Sequence, residues 1–321
     1  QGYTDLNFII PELVHSVEFR KGPYYADVSD FSSAGAAFFS TARKLDSGMV
    51  KTGIGKDNFA QVLYADSFST GRGDLLFGVQ YNQYDGPWVG TSEDLNRYNG
   101  LIRYTESTPG VGEWGVTLMA YDASWNSADQ IPRRAVESGE VSRLGTIDDT
   151  VGGETSRYSL SGRWHRDFGV QQVTARAYAI DYKLDLFSNF SYFLGNPVDG
   201  DQFEQLDERK VFGGDVLWRI NQSDTLTHEM GIAIRYDDID ELGLFESTGR
   251  ARGDAIRFDR VQQMSTGLHY TLEVAWSDVW KTSFGVRADH FDFDVRDSNI
   301  PENTGTADDW TVSPKLNVVR V

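Results

Sequence analysis

MSTGLHYTLEVAW, residues 264–276, alternates between apolar and polar residues. Met264, Leu268, Tyr270, Leu272, Val274 and Trp276 fall on one side of an extended chain. Ser265, His269, Thr271 and Glu273 fall on the other. Side chains that change sides at every residue belong to a strand, because a helix would repeat near 3.6. The apolar side carries aromatic residues toward one end, and the polar side carries charge.

The pattern recurs on both sides of this stretch. In 157–165, Tyr158, Leu160, Gly162 and Trp164 oppose Ser159, Ser161, Arg163 and His165. In 212–220, Phe212, Val216, Trp218 and Ile220 oppose Asp215 and Arg219. Trp280, Phe284, Val286 and Ala288 oppose Lys281, Ser283, Arg287 and Asp289. These segments run to about ten residues or more, against five or six in ordinary sheets. Long strands with an aromatic-rimmed apolar face fit a sheet whose outer face meets lipid. Their polar face is expected to meet water. The spacing predicts about twelve strands.

The connections alternate in length. Short turns fall at 69–74, 107–113, 167–170, 221–224 and 277–278. Long loops are expected at 84–94, 126–155, 189–208, 237–259 and 296–309. An up-and-down membrane barrel has short turns at one rim and long loops at the other. A soluble sandwich has no reason to keep that alternation.

Composition narrows the classes. The chain has 321 residues, no cysteine, 15 Tyr, 19 Phe, 8 Trp and 32 Gly. Without cysteine there are no disulfides and no thiolate metal sites. Mean hydropathy is −0.43, and no apolar run reaches the roughly 18 residues of a spanning helix. Forty-eight acids against 30 bases give a net charge of −18, which disfavours nucleic acid as a partner. The opening residues show no signal peptide. The last strand runs to Val321 with nothing to close a barrel, so the sequence reads as a fragment.

Residues before Asp46 leave the alternating pattern. The run SVEFRKGPYY starts as a strand and breaks at Gly22-Pro23. Val17, Glu18, Lys21, Gly22 and Pro23 are followed by Asp30, Phe31, Ser32, Ser33, Ala34 and Gly35. This series resembles the end of the plug domain of TonB-dependent outer-membrane receptors, with Lys21 where arginine is commoner and Ser29 where glycine is frequent. Ser313, Pro314 and Lys315 resemble a mid-barrel strand of the same family. The resemblance implies residues 1–45 as the C-terminal part of a plug and 46–321 as part of a transmembrane antiparallel β-barrel. The whole barrel would have 22 strands. It implies a receptor in the bacterial outer membrane that imports a scarce nutrient, most commonly a ferric siderophore. Its partners would be membrane lipid, the nutrient and the TonB energising complex of the inner membrane. Residues 3–14 are expected to form a preceding strand pair, and Glu18 and Lys21 to form ion pairs within the plug.

The family also implies a ligand site at the plug apex and the long loops. Tyr3 and Thr4 fall at the apex end. Tyr84, Trp88, Arg133, Arg134, Phe187, Phe190 and Tyr192 fall in or beside long loops. Aromatic rings and guanidinium groups suit iron-chelate or sugar ligands. Residues 186–193, LFSNFSYF, are the preferred contact region.

No catalytic motif and no cofactor site is read from the sequence. The five histidines lack metal-site spacing, and His165 and His269 are expected to be solvated on the polar face. TGIGKD at 52–57 lacks the residues of a phosphate loop and reads as a hairpin connection. Asp237, Asp238, Asp240 and Glu241, and Asp292 with Asp294, are oxygen-rich but match no calcium loop. Two other readings stay open: a passive porin or adhesin barrel, and a soluble all-β carbohydrate-active enzyme. Aspartate at Leu272 or Val274 is expected to block barrel assembly, and at Thr271 to be tolerated.

Overall fold

A computed structural model describes residues 5–28 and 32–320. Two strands, β1 (Val14–Lys21) and β2 (Gly35–Thr41), form a small antiparallel sheet. The next strands are β3 (Met49–Ile54), β4 (Ala60–Ser69), β5 (Gly73–Tyr84), β6 (Leu95–Thr108) and β7 (Gly112–Asn126). A short helix, α1 (Arg133–Glu137), lies in the connection to β8 (Gly152–Phe168). Then follow β9 (Gln171–Ser188), β10 (Phe203–Ser223), β11 (Leu226–Thr248), β12 (Ala251–Ala275), β13 (Trp280–Ser298) and β14 (Gly305–Arg320). Strands β3 to β14 make one twelve-stranded sheet in strict sequence order. Every neighbouring pair is antiparallel, so the sheet is a continuous up-and-down wall.

The polarity of the wall is inverted relative to a water-soluble sheet. Its exposed face carries Val62, Val79, Ile102, Leu118, Leu160, Ile232, Leu268 and Leu316. Its buried residues include Gln80, Asn82, Asn99, Thr105, Asp207, Arg209, Arg287 and Asp289. In water each large exposed apolar side chain would forgo about 1.5–3 kcal/mol of burial. In hydrocarbon that penalty vanishes, while the sheet pairs its own backbone groups as a bilayer demands.

The polar face differs from the open, watery surface expected from its charge. Thr271 is 8% exposed and Asp237 2%, so a charge at Thr271 would enter a packed, already acidic surface beside Glu229, its partner in register. Tolerance of aspartate at Thr271 is therefore not what this packing supports.

Three of the long loops are shorter than the sequence indicates. β11 and β12 extend to 23 and 25 residues, well beyond the roughly ten needed to cross a bilayer. Most of 237–259 is thus strand, closed by Gly249 and Arg250 at φ of 56° and 63°. Positive φ at both central residues is the two-residue hairpin turn that matches strand twist. Strand likewise resumes at Phe203 within 189–208, and within 296–309 it runs on to Ser298 and resumes at Gly305. The short turns and the 52–57 hairpin fall where expected.

Residues 5–13 form turns and a 3-10 turn, Pro11–Leu13, where a strand pair was expected. Proline near the start of that segment removes a ladder donor and favours the helical turn. The break after Lys21 is as read: Gly22 takes a φ of 77° and Gly35 of 125°, conformations that favour glycine. Asp30, Phe31, Tyr3 and Thr4 lie outside the described residues.

Candidate functional site

The N-terminal segment is seated on the polar face of the wall. Its Ile10 and Leu13 pack on Leu63, Ala65, Leu76 and Leu101, an apolar patch of that face. Around this patch the contacts are polar. Asn99 Nδ2 donates to the Asn7 carbonyl at 2.7 Å. Arg97 donates to Asn7 Oδ1 at 2.9 Å and Arg103 to the Thr41 carbonyl at 2.7 Å. Arg43 reaches out from the segment to Asp74 and Glu113. At its other side Arg287 donates to the Ala26 carbonyl at 3.2 Å. The segment carries irregular backbone at membrane depth, and the wall satisfies it, as a lipid-excluded lumen requires.

Glu18 pairs with Arg20 at 2.6 Å, on an exposed part of β1. Arg20 also holds Asp27. Glu18 thus forms an ion pair as expected, with a residue two positions on that shares its strand face, whereas Lys21 enters none among the described residues. His269 is not solvated either. Its side chain is 7% exposed, 3.9 Å from Glu229, and neither ring nitrogen has a hydrogen-bond partner.

The long-loop end is organised by a few polar side chains. Asp148 accepts from Asn189 Nδ2 at 2.8 Å, Gln202 Nε2 at 3.0 Å and the Thr150 amide at 2.9 Å. Burial pushes the Asp148 carboxyl up, but the Thr150 hydroxyl and these donors together hold it below its ordinary value. Asp129 accepts from the Asn189 amide. Burial and the Asp148 charge outweigh that donor and push Asp129 up. Burial, with the fields of Asp129 and Asp148, pushes the Tyr192 hydroxyl up to about 12. Arg250 clamps the ends: it donates to the Thr150 and Val151 carbonyls and to Asn126 Oδ1, while its amide donates to Gln202 Oε1.

The sequence-predicted contact residues of the long loops fall on this end. Phe187 lies under the Arg250 guanidinium at 5.8 Å. Phe190 is 55% exposed and edge-on to Phe203. Tyr192 is buried, with its hydroxyl on the Gln130 carbonyl at 2.8 Å. Arg133 and Arg134 stand exposed on α1, Arg133 paired with Glu137. Trp88 is bonded to Glu93, and its loop joins the α1 loop through the Val89 amide and the Leu144 carbonyl. Tyr84 packs edge-on against Phe59. Sequence reasoning covered Asn189 only as part of the 186–193 run, and missed Gln202, Asp148 and Arg250. Only Gly249-Arg250 carried a signal, a turn dipeptide between two alternating runs.

The acidic run at 237–241 is wall, not loop. Asp237 is bonded to Arg235 and lies 3.5 Å from Arg209. Asp238 accepts from Arg296 and Gln262. Nearer the rim, Glu204 is forked by Arg252 at 2.5 and 2.7 Å. Burial and the neighbouring Glu204 push the Asp185 carboxyl up to about 6. No group of three or more His, Asp or Glu suited to a metal ion occurs among the described residues.

The profile of the family described as TonB dependent receptor-like, beta-barrel matches residues 114–320. No curated protein sequence matches the chain significantly. Among solved structures, the copper transporter OprC superposes with a TM-score of 0.73 at 15% identity, over 97% of this chain and 49% of its own. The FrpB iron transporter from Neisseria meningitidis (F5-1 variant) gives 0.64 at 16%, over 98% and 51%. The unliganded ferric citrate transporter FecA gives 0.69 at 12%, over 95% and 47%. The chain therefore spans about half the length of these structures, and the likeness is one of fold. With an apolar outer face, an up-and-down wall and a family profile covering more than half of its residues, the chain belongs to the TonB-dependent receptor family of outer-membrane β-barrels.

Proposed function

We propose that the chain is part of an active importer, with residues 1–45 from the plug and 46–321 from the barrel. The full-length protein binds a scarce nutrient outside the cell and passes it to the periplasm. The TonB energising complex drives release by acting on the plug. The observation that carries this reading is the N-terminal segment seated on the inner face. Ile10 and Leu13 are buried there, and Asn7, Ala26 and Thr41 are hydrogen-bonded to the wall. A passive pore has no use for such an obstruction.

The cargo is a metal chelate, with a ferric siderophore as the first candidate. Support comes from relatives of the same fold described as copper, iron and ferric citrate transporters and as siderophore receptors. The exposed Phe190, Trp88 with its loop, and the arginines of α1 supply stacking and charge for first contact. Tyr84, Phe187 and Tyr192 stand behind them, and Arg250 holds the loops in register. No covalent step is assigned to any residue.

The test is uptake. The full-length protein is expressed in a bacterial outer membrane under iron starvation, with and without the energising complex. Labelled iron and copper chelates should accumulate only when the complex is present. Correct insertion with accumulation that ignores the complex would point to a passive pore and sink the proposal.

A further inference from the structure

A recess interrupts the outer face of the wall between β10 and β13. Val216 and Trp218 on β10 stand on one side, Val286 and Ala288 on β13 stand on the other, and Ile232 and Leu268 line the floor. Register fixes the arrangement: Val216 lies opposite Ile232, Ile232 opposite Leu268, and Leu268 opposite Ala288. Ala288 is small where Phe284 and Val286, before it on the same face, are large. The recess holds about 590 Å³, within the roughly 300–1,000 Å³ of small-molecule cavities.

Its depth assigns it to one leaflet. The short turns mark the periplasmic rim of such a barrel. From Leu226 to Ile232 and from Leu268 to Ala275 the strands climb about 14–16 Å through the membrane once their tilt is allowed for. That is the hydrocarbon thickness of the periplasmic leaflet, about 15 Å. Toward the turns the outer face becomes amphipathic. His228 Nε2 donates to Gln222 Oε1 at 2.7 Å, and the Tyr270 hydroxyl lies 2.8 Å from His228 Nδ1. Trp218 Nε1 donates to Gln171 Oε1, and Trp276 Nε1 to Thr282 Oγ1. Rings with an apolar body and a polar tip belong at the boundary between hydrocarbon and headgroups.

Two turns flank this end, 224–225 between β10 and β11 and 276–279 between β12 and β13. Each carries an exposed aspartate, Asp224 and Asp278, and neither contains lysine or arginine. The bases nearest to them on these strands take the inner face: Arg219 is held by Glu229 and Glu273, and Lys281 alternates with the outward Trp280. Arg320 lies over the Trp280 ring, on the β14 side and away from the recess.

We infer that the recess binds one phospholipid of the periplasmic leaflet with an ethanolamine headgroup. One acyl chain fills the recess, the ester region lies against His228 and Tyr270, and the ammonium faces Asp224 and Asp278. An apolar recess left unfilled at membrane depth would forfeit dispersion contacts, and the lipid-facing surface around it supplies the hydrocarbon. The headgroup follows from charge. Carboxylates on both turns attract an ammonium and repel the net negative charge of a phosphatidylglycerol.

The test is native mass spectrometry of the purified full-length receptor, delipidated in detergent and titrated with equal amounts of phosphatidylethanolamine and phosphatidylglycerol. Wild type should retain one phosphatidylethanolamine with a preference of at least about threefold, and added salt should narrow that preference. Asp224→Asn with Asp278→Asn should abolish the preference while a lipid is still retained. Val216→Phe with Ala288→Phe should fill the recess and cut retention of both lipids by about tenfold, with heat-modifiable barrel at the wild-type level. Should the filled variant fail to insert, the asparagine variant, altered only at exposed turns, still reads the headgroup preference. No retained lipid in wild type, a preference for phosphatidylglycerol, an unchanged preference in the asparagine variant or unchanged retention in the filled variant would overturn the site. A wild-type dimer that the filled variant loses would overturn it too, by assigning the recess to a second copy of the chain.

Discussion

Leu13 and Gly78 fit one another across the boundary between the N-terminal segment and the wall. A Cβ on Gly78 would stand 2.7 Å from Leu13 Cδ1 and 3.4 Å from the Ala65 Cβ. The glycine makes room for the leucine that anchors the segment.

That fit can be broken from either side. Gly78→Val should overpack the contact and weaken seating by about 1–3 kcal/mol. Leu13→Ala should leave a cavity and weaken it by about 2–5 kcal/mol. Combined with Leu13→Ala, Gly78→Val should cost less than the sum, because the added methyls refill the space. Hydrogen exchange over residues 5–21 reads the seating. Unchanged protection in both single variants would remove Leu13 as the anchor.

The outward face should respond to charge as a lipid surface does. Leu268 is 54% exposed and lies in the half of β12 that leads to the short turn at Ser277. Leu268→Arg should cost about 2–4 kcal/mol near the bilayer midplane. The readout is the fraction of heat-modifiable barrel in the outer membrane. Wild-type insertion of this variant would mean that the face is not lipid-exposed.

Acidity should tighten the outer end of β9 and β10. Asp185 is pushed up to about 6 by burial and by Glu204, with Arg252 partly offsetting and Glu154 adding to the shift. A carboxyl raised in the folded state favours folding when protonated. The extra stability is complete below the ordinary value of 3.8 and is lost as pH rises through about 6. Amide exchange around Asp185, corrected for intrinsic rates, should therefore be slower at pH 5 than at pH 7.5. Asp185→Asn should flatten that difference, and an equal difference in the variant would assign it elsewhere.

Arg250 should matter to the loops and not to the barrel. Its guanidinium holds Asn126, Thr150 and Val151 in place. Arg250→Ala should release the 127–151 loop by about 1.5–3 kcal/mol, the worth of hydrogen bonds to a charged group. Limited proteolysis should cut that loop first while barrel mobility on a gel stays unchanged. Resistance equal to wild type would show that the Asp148–Asn189–Gln202 network suffices alone.

Local alternation in the sequence was enough to set the strands, their outward faces and the order of the wall. Met264 to Trp276 could only be a half-apolar strand, and the short turns at Gly169, Asp224 and Ser277 could only reverse such strands. The plug resemblance, the turn residues Gly22 and Gly35 and the strand from Ser16 to Lys21 were legible for the same reason: each is fixed by a few neighbouring residues. Tertiary structure alone decided what the polar face is for. Whether Thr271, His269 or Asp237 meets water depends on what lies opposite, and those groups come from distant parts of the chain. The same holds for Asp148 clasping Asn189 and Gln202. Periodicity records which side a residue takes, but its charge balance is set by neighbours across the sheet and the lumen, at separations that no local pattern encodes.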